Sequence, residues 1–166
     1  MIPDERPSGS RELTPSGWHD DAYRRDAGHD EMQARCWRLV QEDQTPIQHG
    51  RVQYAYYGAF VEYPFTDRGR LIGFADVAVV YQSEETKSTS YGTFYKRYYR
   101  FYEIKPRIHS VGAVIRQCKA TRILASRSGF ENFTVAAVIR SGDPKKELLC
   151  EMADFLVLCE PDEAKP

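Results

Sequence analysis

The strongest constraint on the fold is a change of period near residue 50. Between residues 28 and 42, Met32, Cys36, Leu39 and Val40 recur at spacings of three and four, the apolar stripe of a helix. Pro46 and Gly50, within the 45–50 segment, end it. From Val52 to Lys105 the helical spacing is gone. That stretch holds all but one of the chain's 11 tyrosines, with Phe and Val between them, residue types that suit a pleated surface. Turn chemistry divides it into three expected strands, over 52–65, 71–81 and 93–105. Pro64 and the Thr66-Asp67-Arg68-Gly69 turn, a polar hairpin tip over 83–92, and Pro106 are the punctuation. The spacing predicts an antiparallel meander.

Beyond Pro106 the helical period returns. Ser110 is placed to cap a helix running to about Ser126, with Val111, Val114, Ile115, Cys118 and Leu124 apolar. Gly129 closes that region, and residues 133–139 have strand character. Asp143-Pro144 is expected to open a third helix through about Asp154, proline being tolerated where a missing N–H costs least. A short strand over 155–159 and a charged tail follow. The order is helix, three strands, helix, strand, helix, strand. It implies an α/β domain with a central mixed sheet flanked by helices.

A chain of 166 residues is long enough for one self-sufficient core. Residues 1–27, rich in Pro, Ser, Gly, Asp and Arg without apolar period, read as a flexible arm. The domain is expected over 28–159, with 160–166 a charged tail. The longest apolar runs, such as 74–81, fall far short of a membrane span, and no apolar block follows Met1. The expectation is a cytoplasmic protein with no membrane partner. Cys36, Cys118, Cys150 and Cys159 form no Cys-x-x-Cys pair, which removes zinc ribbons and common iron–sulfur clusters. Buried thiols are the expected state.

The chemistry concentrates in two strands. Asp76 is a lone carboxylate inside the apolar 71–80 segment, and burial of an unpaired acid requires a cation or donor beside it. Glu103 and Lys105 lie two apart on a strand, so they project from one face while Ile104 faces the other. A divalent metal shared by Asp76 and Glu103 would supply the cation, and Lys105 would stand beside it. Oxygen ligation of this kind favours Mg²⁺, completed by water and substrate phosphate, with Mn²⁺ able to substitute. Metal-assisted phosphodiester hydrolysis is the reaction such a grouping suits. The spacing alone is weak, because Glu85–Lys87 and Glu163–Lys165 repeat it. Only Glu103–Lys105 ends an apolar strand, follows a strand with an isolated Asp, and precedes an amphipathic helix. A structural ion pair within the sheet is the alternative.

Asp76 with Glu103-Ile104-Lys105, in helix–strand–strand–strand–helix–strand order, resembles the PD-(D/E)XK nuclease superfamily, the restriction-endonuclease-like fold. The resemblance covers roughly residues 28–159. It implies metal-holding acids at Asp76 and Glu103, aided by the Ile104 carbonyl, and a lysine at Lys105. The family's proline before the first acid is Ala75 here. Gln117 matches the glutamine that many relatives carry in the following helix, though the aromatic that often accompanies it is missing. Glu31 and Glu62 match acids that some relatives place on the first helix and first strand. His29, His49 and His109 show no metal spacing and read as surface histidines, and His19 lies in the arm.

The overall charge of −1, from 23 basic and 24 acidic residues, taken as a sum disfavours a nucleic-acid partner. Its distribution reverses that inference. Residues 96–127 hold nine cations against one anion, a local charge of +8, while residues 1–30 hold four cations against seven anions. From Ser141 onward three cations face seven anions. Arg107, Arg116, Lys119 and Arg122 are the candidate phosphate contacts, the last three recurring along one helix. The sequence therefore points to a Mg²⁺-dependent nuclease acting on DNA. Two other classes stay open: a catalytically inactive relative that binds nucleic acid or protein, and an interaction protein whose tyrosine-rich meander packs on a second copy or a partner protein.

Overall fold

In a computed structural model of the chain, residues 28–90 and 92–160 are described, and the 1–27 arm and the last six residues lie outside them. The first period becomes helix α1 (His29–Glu42), which buries His29, Met32, Gln33 and Cys36. Leu39, which the apolar stripe includes, is 55% exposed. The aromatic stretch becomes strands β2 (Val52–Asp67), β3 (Arg70–Thr89) and β4 (Gly92–Lys105), preceded by a short strand β1 (Ile47–His49). Helix α2 (Val111–Arg127), strand β5 (Phe133–Arg140), helix α3 (Lys146–Met152) and strand β6 (Leu156–Glu160) follow. The described residues thus form an α/β fold, with three helices and a six-stranded mixed sheet.

Strand order follows the chain, β1-β2-β3-β4-β5-β6. The first four strands are antiparallel neighbours. The β4–β5 and β5–β6 pairs are parallel, as connections through α2 and α3 require.

Three expectations need correction. Strand β1 was not anticipated: Gly50, at φ 61°, turns the chain back so that Ile47 pairs with Tyr54, where its sequence signal reads only as a helix stop. The polar 83–92 segment is not a long tip. Backbone pairing continues through Ser88↔Thr93 to Thr89↔Gly92, since a ladder of N–H and C=O groups needs no apolar side chains. Helix α3 begins at Lys146, beyond Pro144. The Asp143 carboxylate accepts from the N–H groups of Lys145 (2.9 Å) and Ile108 (2.8 Å), making a turn there instead of a helix start. Ser110 does cap α2, its hydroxyl accepting from the Ala113 N–H at 3.3 Å.

The sheet is covered on both faces. Helices α2 and α3 close one core, where Val114, Cys118 and Leu149 pack with Phe65, Phe101 and Ile139. Helix α1 closes the other, with Met32 and Cys36 against Val77, Val79, Tyr102 and Ile104. An aromatic cluster fills the first core: Phe101 lies 4.9 Å from Phe65 and 5.3 Å from Phe130, both edge-on. Burial pushes the Cys36 and Cys118 thiols up to about 12, which keeps them protonated. Cys150 and Cys159 are exposed, contrary to the expectation of buried thiols. No described helix is long and apolar enough to cross a membrane.

Because Phe101 is fully buried in that cluster, Phe101→Ala is expected to cost about 3–5 kcal/mol of stability. Tyr95→Ala, at a half-exposed position, is expected to stay within about 0.5 kcal/mol. Urea unfolding of the two variants checks the contrast.

Candidate active site at the fork of the sheet

Strands β3 and β4 part company within the sheet. Their ladder runs as far as Val77↔Tyr102. Beyond that pair β3 stays with β2, through Tyr63↔Ala75 and Pro64↔Phe74. Strand β4 stays with β5, through Glu103↔Ala137 to Lys105↔Ile139. A buried backbone donor left by such a fork needs another acceptor. The Ile104 N–H finds it in the Asp76 side chain, donating to Oδ2 at 2.7 Å.

The side-chain alternation also breaks here. On β2, Phe60 and Tyr63 share a core cluster although three residues apart, and Ala75 and Ala78 do so on β3. Regular strands repeat at even spacings. Between these pairs lie Glu62 and Asp76, which the register would set opposite each other. Glu62 has a φ of 49°, a left-handed conformation that residues with a side chain adopt rarely. The irregularity frees Asp76 from the regular pattern.

Glu103 lies on the α2 face of β4, 2% exposed. Its two oxygens are held from α2: the Thr121 hydroxyl donates to Oε1 at 2.6 Å, and the Gln117 amide to Oε2 at 3.2 Å. Burial, then the Asp76 charge, pushes the Glu103 carboxyl up to about 8, against the opposing pull of Lys105 and the two hydrogen bonds. Lys105, half-buried at the end of β4, is therefore close enough for its charge to be felt. Gln117 thus adjoins Glu103, Asp76 accepts a hydrogen bond from the backbone of the residue after Glu103, and Lys105 lies within electrostatic reach of Glu103.

Helix α1 reaches the same point from the other face. His29 Nε2 lies 3.3 Å from Asp76 Oδ1, and the Gln33 amide donates to the Asp76 carbonyl at 2.8 Å. His29 is buried, which corrects its reading as a surface residue; His49 and His109 are exposed. The signal for His29 was present in the period, since it precedes Cys36 by seven residues and Gln33 by four. Thr121 was also missed. It follows Gln117 by four, a polar residue within the buried stripe of α2.

Other expected participants are placed differently. Glu31 points to solvent and approaches Arg35 at 4.0 Å, away from Asp76. Glu62 stands at the strand break. The basic residues do not track the site as one surface. With roughly 100° per helical residue, Gln117 and Lys119 fall on opposite flanks of the buried stripe of α2. Arg122 is engaged by Asp154, through its carboxylate at 3.1 Å and its carbonyl at 3.0 Å. Arg107, Arg116 and Lys119 are exposed.

The donor set fits a hard divalent cation. Two carboxylates whose repulsion contributes to raising the Glu103 pKa would be relieved by a cation between them. Among the described residues no group of three or more His, Cys, Asp and Glu forms a metal cluster. An ion held by Asp76 and Glu103 would need its other coordination positions filled by backbone, water or substrate oxygens, as is common for Mg²⁺. No family model, curated protein or solved structure matches this chain.

The buried acid has a consequence for stability. Its folded-state pKa is raised from 4.5 to about 8. Between those values the folded protein keeps a proton that the unfolded chain has released, so stability falls as pH rises through that window. In EDTA, denaturant titrations from pH 5 to 8 are expected to show this decline in the natural protein and a shallower one in Glu103→Gln. Equal declines would contradict the assignment.

Proposed function

We propose that the chain is a metal-dependent nuclease with a restriction-endonuclease-like fold, hydrolysing phosphodiester bonds of DNA. The observation that carries this reading is the meeting of Asp76, Glu103 and Gln117 at the fork, within range of the Lys105 charge. The central order of helix, three strands, helix and strand supports it, with β1 and β6 as additions at the sheet edges.

Asp76 and Glu103, with the Ile104 carbonyl, are the proposed holders of Mg²⁺, and Mn²⁺ is expected to substitute. The ion, when bound, stabilises negative charge developing on the phosphate. Lys105 positions the attacking water or stabilises transition-state charge. Gln117 and Thr121 fix the orientation of Glu103. His29, Gln33 and the Ile104 N–H fix Asp76. Arg107, Arg116 and Lys119 remain exposed for phosphate contact, whereas Arg122 would have to leave Asp154.

One observation favours a second reading. Both Glu103 oxygens already accept hydrogen bonds from α2, an arrangement that also suits a nuclease-like module binding nucleic acid or a partner protein without cutting. Cleavage assays on plasmid and linear DNA distinguish the two. The nuclease reading expects cutting with Mg²⁺ or Mn²⁺, none in EDTA, and a loss of at least about 100-fold in Lys105→Ala with the fold intact. Undiminished cutting by that variant overturns the assignment. DNA binding without cutting, whichever ion is supplied, selects the binding module.

A further inference from the structure

We propose that Arg140 binds a backbone phosphate of the nucleic acid, an inference that rests on the nuclease reading of the neighbouring site. Arg140 ends β5, one residue beyond Ile139, the register partner of Lys105 on β4. It therefore stands at the same end of the sheet as Glu103 and Lys105. This is the carboxyl end of the parallel strands, where ligands of open α/β sheets bind.

The side chain comes from the α1 face. Strand alternation puts it with Ala136 and Val138, which pack in the α1 core. Its guanidinium lies against Gly28, the residue that opens α1 at a φ of 86°. A Cβ at Gly28 would stand 2.8 Å from Arg140 Nη2, so a side chain here would crowd the charge. His29, which faces Asp76, is the next residue. Arg140 thus lies beside the residue preceding His29, on the α1 face of the sheet, while Lys105 lies with Glu103 on the other face. A phosphate backbone crossing the strand ends would meet both.

Among the described residues, the nearby acids have other partners. Glu160 is the register partner of Arg140 on β6, yet its carboxylate is taken by Arg35, at 2.5 Å to Nε and 3.4 Å to Nη2. Asp30 Oδ1 faces His29 Nδ1 at 3.3 Å, and Glu31 faces Arg35. The Arg140 Nε is buried and has no hydrogen-bond partner among the described residues. A guanidinium does not lose its proton at accessible pH, so a missing acceptor is not compensated by neutralisation. Its planar fork matches two oxygens of a phosphate.

The test is duplex-DNA binding in EDTA, followed by fluorescence anisotropy across a salt series, with melting temperatures measured in parallel. Arg140→Gln is expected to weaken binding roughly 10-fold and to lower the slope of log affinity against log salt by about one. Arg140→Lys should restore the slope and part of the affinity, since it keeps the charge without the fork. Melting temperature should hold or rise in Arg140→Gln. Natural slope and affinity in that variant, a lowered melting temperature with natural slope, or no duplex binding by the natural protein would each overturn the proposal. Cleavage with Mg²⁺ is scored separately. If Arg140→Gln reduces the slope but no ion supports cutting by the natural protein, the nuclease reading fails and the phosphate contact stands.

Discussion

The hydrogen bond from the Ile104 N–H to Asp76 Oδ2 is the contact on which the site depends. Adjacent strands ordinarily satisfy each other's backbone groups, and a fork interrupts that arrangement. Here a carboxylate takes the place of a backbone carbonyl. The substitution joins β3 to β4 just beyond their last paired residues, Val77 and Tyr102. It also fixes an acid where a regular ladder would leave only main chain. The left-handed Glu62 and the broken alternation of β2 and β3 belong to the same local solution.

Once the strands separate, the helices decide what lines the opening. The apolar stripe of α2 docks on the sheet through Val114, Cys118 and Ala125, and this brings Gln117 and Thr121 to Glu103. Helix α1 docks through Met32 and Cys36, and this brings His29 and Gln33 to Asp76. Packing energy from apolar contacts thus holds polar groups in place. The cost of burying Glu103 next to Asp76 appears as its tendency to keep a proton near neutral pH. A divalent cation would replace that proton.

The strand block and the capped α2 were legible in sequence, because period, turn chemistry and strand alternation are local rules, whereas Gln117 drew attention only through the family resemblance and not through any local rule. What was illegible depended on distant partners. Strand β1 has three residues and exists through pairing with β2. His29 carried the right period, but its meaning required Asp76, 47 residues away, to arrive at the same place. The basic residues of α2 shared a segment with the site, yet helical rotation and the Asp154 contact separate Arg122 from it. Charge along a sequence does not specify charge around a helix.

We propose that Asp76 and Glu103 together hold one divalent cation, whose binding would displace the Glu103 proton. Isothermal titration with Mn²⁺ at pH 7, repeated in buffers of different ionisation enthalpy, measures both quantities together. With the Glu103 pKa at about 8, the account predicts binding accompanied by release of close to one proton per site, both lost in Asp76→Ala. Absence of binding, or binding with no proton release that survives Asp76→Ala, would contradict it.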